Sequence, residues 1–469
     1  MQDTTNDTAK QEAIKQRGKR MPTAETPVGP IAPIAKPGEG EGNPKIEGRN
    51  PKGEARDEVR ERAQESMRRM GKRAAAEKGG GMRVSVAPKA VLRAVKAVLG
   101  AVGKRSGLPV LGCVQVVARG MSVQVTATDL DVRMSAVAQS GVEVHVEGGC
   151  CVNAAALVAL LERAVGDAVE LVQRGGELEV SSGGWTAKLY VMPAEEFPTA
   201  PLSAVEVMAR VSGRVLSRLM GLVKGCVSTD ATWYVLNGVF LEVKPGGMLT
   251  AVATDGRRLC RAWVPGASSE WEECSAVLPS RVVGLLRGML GAAEDEVELR
   301  MLRDAQGKVE HIELQAEDGT ALWAKVIQGN FPAYEKVIPD STVREDVVLD
   351  VEAFTGMVER AGFLSGKAPS LGLKLKGRLL TLSVEAGEAG SWEEVAEVLT
   401  EEGRAEREFA VRVNPDFLPD LGAIERTVVQ VNVAHARKTG GPLVWEAETD
   451  CGERRLGWTY VLMPMRDEK

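Results

Sequence analysis

A chain of 469 residues is too long for one hydrophobic core and implies roughly three domains of about 100–200 residues. With 44% hydrophobic and 26% charged residues, and no run near the roughly 18 apolar residues of a membrane span, it does not read as a membrane protein. The formal charge of −6 is uneven: residues 1–81 hold 17 Lys+Arg against 13 Asp+Glu, which leaves −10 on the remainder. Such a body is no simple basic nucleic-acid binder unless its positive groups collect on one face.

In chain order, residues 1–52 are rich in Pro, Gly, Lys, Glu and Thr and bury too little surface to repay ordering. GEARDEVRERAQESMRRMGKRAAAEK then has i,i+4 Glu–Arg pairs and a thin apolar stripe, which predicts a solvated helix ended by GGG at 79–81. Residues 1–81 therefore form an N-terminal extension, disordered and partly helical. From Met82, MRVSVAPKAVLRAVKAVLG reads as an alternating strand, a turn at Pro88 and an amphipathic helix.

From Met82 to the end, one pattern occurs three times. A strand entered on Leu and Gly occurs as LPVLGCVQVVA, WYVLNGVFLEV and APSLGLKLKG, and a closing strand as AKLYVMPAEEFP, AKVIQGNFPAYEKVIP and TYVLMPMR. First helices are expected near 88–101, 213–226 and 350–364. Second helices are expected near 153–165, 279–291 and 414–424, capped by Asn153, by Ser280 beside Pro279, and by Asn414. The class is α+β, with units at 82–202, 203–333 and 334–469. Two helices per unit cover one face of an antiparallel sheet.

Basic residues follow the helices (Lys89, Arg93, Lys96, Arg214, Arg218, Lys224, Arg281, Arg287), whereas acids crowd strands and loops, so a basic helical layer is set to face a polyanion through phosphate contacts. Seven cysteines without a C-x-x-C pair read as buried fillers. Three dispersed histidines, His145, His311 and His435, read as surface or hydrogen-bonded residues. No nucleophile, phosphate-loop or metal motif is present, so no enzyme and no cofactor are expected. The apolar end, Val461-Leu462-Met463-Pro464-Met465, either finishes a core strand or lines a surface that a partner fills.

AVATDGRRLCRA, with its Asp255-Gly256 turn, together with WYVLNG, FPAYEKVIP, the threefold repeat and VLMPMR, resembles the bacterial DNA polymerase III beta subunit, the replication sliding clamp. The resemblance spans 82–469. It implies three clamp domains per chain, with helices lining the inside, sheets outside, and two chains closing head to tail into a homodimeric ring around double-stranded DNA. It implies a processivity factor in the cytoplasm, at the nucleoid, and away from membranes. Its partners would be the DNA polymerase III alpha subunit, the clamp loader, other polymerases and repair proteins, all bound through short peptides.

The resemblance sets the pocket at Leu236, Thr254, Gly256, Arg257, Arg258, Leu259, Pro332, Lys336, Val337, Asn414, Phe417, Val461, Leu462, Met463, Pro464, Met465 and Arg466. Those matching DNA-facing positions are Arg93, Lys96, Arg105, Arg218, Tyr234, Arg281 and Arg287. The chain departs from the family's pattern at Asp230, Val235, Arg257, Lys336, Phe417 and 366–371, and continues through Asp467-Glu468-Lys469. A clamp-like paralogue serving repair and a monomeric DNA- or peptide-binding module are the alternative readings.

Overall fold

The computed structural model describes residues 81–103, 107–199, 205–244, 246–265, 273–290, 295–304, 306–339, 346–365, 370–399, 408–424, 428–434, 441–451 and 454–465. The predicted N-terminal tail and helix, Arg105, His435 and Arg466–Lys469 lie outside the described residues.

Three runs of elements follow one plan, with an additional strand in the first and no second α-helix in the third. The first comprises β1 (Arg83–Val86), α1 (Pro88–Val98), β2 (Cys113–Arg119), β3 (Ser122–Thr128), β4 (Val132–Ala138), β5 (Val142–Val146), β6 (Gly148–Asn153), α2 (Ala154–Leu161), β7 (Val169–Arg174), β8 (Glu177–Ser182) and β9 (Trp185–Pro193). The second comprises β10 (Val205–Ser212), α3 (Gly213–Val223), β11 (Gly238–Lys244), β12 (Met248–Thr254), β13 (Arg258–Val264), β14 (Cys274–Pro279), α4 (Ser280–Leu290), β15 (Glu296–Arg303), β16 (Val309–Ala316) and β17 (Ala321–Lys325). The third comprises β18 (Asp346–Asp350), α5 (Val351–Ser365), β19 (Leu371–Lys376), β20 (Leu379–Glu385), β21 (Ser391–Glu397), β22 (Glu408–Val413), β23 (Val428–Asn432), β24 (Leu443–Cys451) and β25 (Arg454–Leu462).

Local chemistry accounts for these elements. Pro88 opens α1 with a φ already suited to a helix; Val91, Ala94, Val95 and Val98 then bury one stripe while Lys89, Arg93 and Lys96 stay exposed. Asn153 caps α2 by accepting the Ala156 N–H at 3.0 Å. Ser280 is the first residue of α4 rather than its cap, and its N–H donates to the Asn237 carbonyl at 3.2 Å.

The helix expected over 414–424 is not formed. Two 3-10 turns, Pro415–Phe417 and Leu421–Ile424, stand there instead, because Pro419 lacks an N–H and biases Leu418 out of the helical region. Asn414 still caps the first of them, accepting the Asp416 N–H at 2.9 Å.

Strands β10, β15, β16, β17, β4, β3, β2, β6, β9, β8, β7, β1 and β5 form one sheet in that order, and β14, β11, β12, β13, β25, β24, β23 and β18 form another. Two units therefore meet the same way twice: the closing strand of the later unit adds antiparallel to the third strand of the earlier unit's second strand set. At the first seam Trp323 of β17 faces Arg133 of β4. At the second, Val461 of β25 faces Leu259 of β13. Gly457 is required at the second seam, since a Cβ there would lie 2.2 Å from the Trp263 ring.

All seven cysteines are buried and none is in a disulfide, and burial pushes the Cys113 and Cys150 thiols up to about 12, leaving these two as unreactive apolar filling. His311 departs from the expected surface or hydrogen-bonded residue. It is buried in the sheet, stacks on Trp323 at 4.4 Å, and its Nδ1 has no hydrogen-bond partner among the described residues. Burial lowers its pKa and favours the neutral imidazole, which costs less to desolvate than the cation. Among the described residues, no helix is long and apolar enough to cross a membrane.

Candidate functional site

The second seam holds a cavity of about 500 Å³, and its mouth is built by the turn between β12 and β13. Thr254 Oγ1 donates to the Arg258 carbonyl at 2.7 Å and accepts the Gly256 N–H at 3.1 Å; Asp255 Oδ1 accepts the N–H groups of Arg257 and Arg258, each at 3.0 Å. These bonds hold Gly256 at φ +84°, a conformation open to Gly at little cost. Arg258 then reaches across the seam: it pairs with Asp255 at 2.9 Å, donates to the Asp416 carbonyl at 3.0 Å, and lies 4.7 Å from the Phe417 ring centre.

Beneath lies a small separate core of Val252, Leu259, Tyr334, Val444 and Val461, flanked by the stacked rings of Phe240 and Phe331 at 4.8 Å. The buried Tyr334 hydroxyl donates to Glu242 at 2.9 Å, and burial, then the Glu242 hydrogen bond, pushes its pKa well up.

Of the predicted pocket residues, the fold brings Leu236, Thr254, Gly256, Arg257, Arg258, Leu259, Pro332, Val337, Val461 and Met463 to the cavity wall. Leu462 is fully buried on the opposite side of its strand, so the apolar chain end both completes a core strand and lines a cavity, by alternation. Phe417 supports the two arginines from below, and Asn414 caps the turn that carries it. Lys336, Pro464 and Met465 lie off the wall; the Met465 N–H donates to the Arg412 carbonyl at 2.7 Å.

Ser228, Asp230, Trp233, Asp255 and Tyr334 also line the cavity and were not among the predicted residues. Trp233 and Tyr334 sit inside the WYVLNG and FPAYEKVIP motifs. An aromatic with neither helical nor alternating periodicity was the available signal. Trp233 is 66% exposed, a large apolar surface held at a cavity lip.

The first seam carries a copy of this turn with different side chains. Thr128 Oγ1 donates to the Val132 carbonyl at 2.8 Å and accepts the Leu130 N–H at 3.1 Å, while Asp129 Oδ1 accepts the N–H groups of Asp131 and Val132 at 3.2 and 2.9 Å. Leu130 takes the place of Gly256 and is forced to φ +81°. Asp131 takes the place of Arg257 and pairs with Lys325 at 2.9 Å, and Asp129 pairs with Arg281. The Asp131–Lys325 pair thus occupies the position that Arg257 and Met463 leave open at the second seam. Leu130→Gly is expected to stabilise the chain by about 0.5–1 kcal/mol, the left-handed strain less the entropy of a glycine in the unfolded chain, and urea denaturation would measure it.

The predicted DNA-facing residues have unequal surroundings. Lys89, Arg93 and Arg287 are exposed, with no carboxylate partner among the described residues. Lys96 pairs with Glu162 at 2.7 Å, and Arg281 is held at the first seam by Asp129 and by the Gly100 carbonyl at 2.8 Å. Arg218 lines, with Arg214, Arg287, Asp420 and Asp450, a polar cavity of about 530 Å³ between α3 and the third run. Tyr234 is 56% exposed, beside Gly329. Helix α5 breaks the pattern: its exposed charges are Glu352, Glu359 and Arg360, and Arg360 is paired bidentately with Glu394 at 2.8 and 2.5 Å.

Residues 82–201 match the family model for the DNA polymerase III beta subunit, N-terminal domain, and 210–333 that for its central domain, together just over half of the chain. The beta sliding clamp of Caulobacter vibrioides is 28% identical over 394 residues, covering 82% of this chain and 100% of that protein; the one from Pseudomonas aeruginosa is 28% identical over 391 residues with the same coverage. A crystal structure of the C. crescentus beta sliding clamp superposes with a TM-score of 0.72 at 28% identity, covering 82% of this chain and 99% of that one. The Bacillus subtilis clamp, at 19% identity and a TM-score of 0.72 over 83% of this chain and all of that one, shares the fold. Two matching domain models, full-length relatives and a common fold agree with the seam-and-unit architecture, and the chain belongs to the DNA polymerase III beta subunit family, the bacterial sliding clamps.

Proposed function

We propose that this chain is the non-catalytic processivity clamp of a replicative polymerase, with the domains 82–202, 203–333 and 334–469 as its three units. Two copies close head to tail around duplex DNA in the cytoplasm. The carrying observation is that one joining rule, used twice within the chain, leaves one unused strand edge at each end. Among the described residues, Thr186–Tyr190 of β9 pair only with β8, and β21 ends its four-stranded sheet. Applying the rule a third time joins β9 of one copy to β21 of another, and repeating it around closes a ring rather than extending a filament.

Arg93, Lys96, Arg218, Arg281 and Arg287, carried by helices of the first two units, would then approach phosphates, together with Arg105 and Tyr234. The third unit offers α5, whose only exposed cation is already paired, so the duplex is gripped mainly by the first two units of each copy. The cavity at the second seam would receive short apolar peptides from the polymerase alpha subunit, the clamp loader and repair proteins, and tethering raises their effective concentration at the primer end. The deciding experiment loads the protein onto nicked circular DNA and then linearises it. Retention on the circle through high salt with release on cutting supports a topological link, whereas salt-sensitive loss independent of cutting removes it.

A further inference from the structure

Four charged residues line the second-seam cavity: Asp230, Asp255, Arg257 and Arg258. Asp255 and Arg258 neutralise each other at 2.9 Å. The remaining two face the cavity without an opposite charge in contact among the described residues. Arg257 is exposed, its guanidinium lies 5.9 Å from the Phe417 ring centre, and the residue across the seam is Met463, whose N–H donates to the Arg257 carbonyl at 3.0 Å.

The first seam shows what this place holds when it is satisfied from within: Asp131, at the position of Arg257, faces Lys325, at the position of Met463, and they pair. At the second seam the cation has no such counterpart. On the Trp233 side, Asp230 caps the turn Ala231–Leu236 by accepting the Thr232 N–H at 2.9 Å and the Thr232 hydroxyl through Oδ1. Its Oδ2 has no protein donor among the described residues, and the Thr232 hydrogen bonds lower its pKa and keep it charged at neutral pH.

We infer that Asp230 and Arg257 polarise the pocket, so that it selects extended apolar peptides bearing a carboxylate on the Arg257 side of the anchor and a cation on the Asp230 side. The inference rests on the peptide-pocket reading above and adds to it the direction and charge order of the ligand. An apolar wall accepts either direction of a short peptide; two opposite charges in its lining that do not pair with each other do not. Because both charges are solvent-exposed, they sort ligands more than they tighten them.

The test uses the full chain and fluorescein-labelled peptides that share a Leu-Phe anchor, with both termini blocked so that only designed charges remain. One peptide has neutral flanks, one has Asp before and Lys after the anchor, and one has the reverse. One charged order should bind about five- to tenfold tighter than the other, with the neutral peptide between them, and the gap should shrink in high salt. Arg257→Glu, which leaves anions at both places, should close the gap, and Asp230→Asn, which keeps the cap, should narrow it. Equal binding of both orders, or a preference unmoved by Arg257→Glu, overturns the inference while leaving the pocket standing. Failure of all three peptides, the neutral one included, removes the pocket reading and the inference with it.

Discussion

Glu393→Pro is expected to convert the protein from a particle of twice 50.1 kDa into one of 50.1 kDa in sedimentation at micromolar concentration, with its unfolding midpoint nearly unchanged. The hairpin β19–β20 sets which backbone groups are free. Its two-residue turn makes Lys376 and Leu379 a bonded pair, so alternate residues of β20 from Leu379 onward turn to β19 and the others turn to β21. Trp392, Glu394 and Ala396 of β21 therefore bond β20, as the Val398 N–H to Arg378 carbonyl bond of 2.8 Å continues. Ser391, Glu393 and Val395 present their backbone groups outward.

In β9 the same counting from the bonded pair Arg174–Glu177 turns Trp185, Ala187 and Leu189 to β8, and Thr186, Lys188 and Tyr190 outward. Both existing seams set the first paired residue after the hairpin turn (Arg133, Leu259) against a residue near the end of the closing strand (Trp323, Val461). The same antiparallel joining sets the outward residues Ser391, Glu393 and Val395 of a second copy against Thr186, Lys188 and Tyr190. Proline at 393 removes an outward N–H and sets its ring against the incoming strand, yet leaves the β20 ladder whole, since edge strands tolerate proline. About 2–3 kcal/mol lost at each of two seams weakens the dimer by roughly 10³–10⁴-fold. A dimer that survives Glu393→Pro would refute this seam.

Met463→Asp is expected to lower the affinity of apolar partner peptides by about 100-fold without changing stability, as read by fluorescence anisotropy beside thermal denaturation. Met463 lines the cavity and is 43% exposed, so the free chain holds a carboxylate there in water. A bound Leu or Phe would instead cover it, losing about 1.5 kcal/mol or more of apolar burial and adding the cost of desolvating a charge. Leu462→Asp, one residue earlier, should give the opposite result: it places the charge in the core and unfolds the domain. Should Met463→Asp bind peptide normally, the cavity is not where partners dock.

Much of this architecture is legible without coordinates. Pro88 with its apolar stripe, Asn153 before an apolar run, the Thr254-Asp255-Gly256 turn and the threefold recurrence of opening and closing strands all act locally, through φ restriction, side-chain capping and periodicity. They predict the element order, while the residues of the cavity wall follow only from the resemblance to the sliding clamps. The helix expected over 414–424 fails because Pro419 outweighs the periodicity around it, and the expectation for His311 fails because nothing near it in the chain shows that its strand is buried between neighbours.

The sequence by itself determined that there are three like units and which residues open their turns, because each of those features is written within a few consecutive positions. Only the tertiary structure decided that the same turn makes a cavity at one seam and an ion-paired joint at the other. That difference lies in pairs such as Asp131 with Lys325, or Arg257 with Met463, whose members are about 200 residues apart and acquire meaning only once antiparallel pairing sets them face to face.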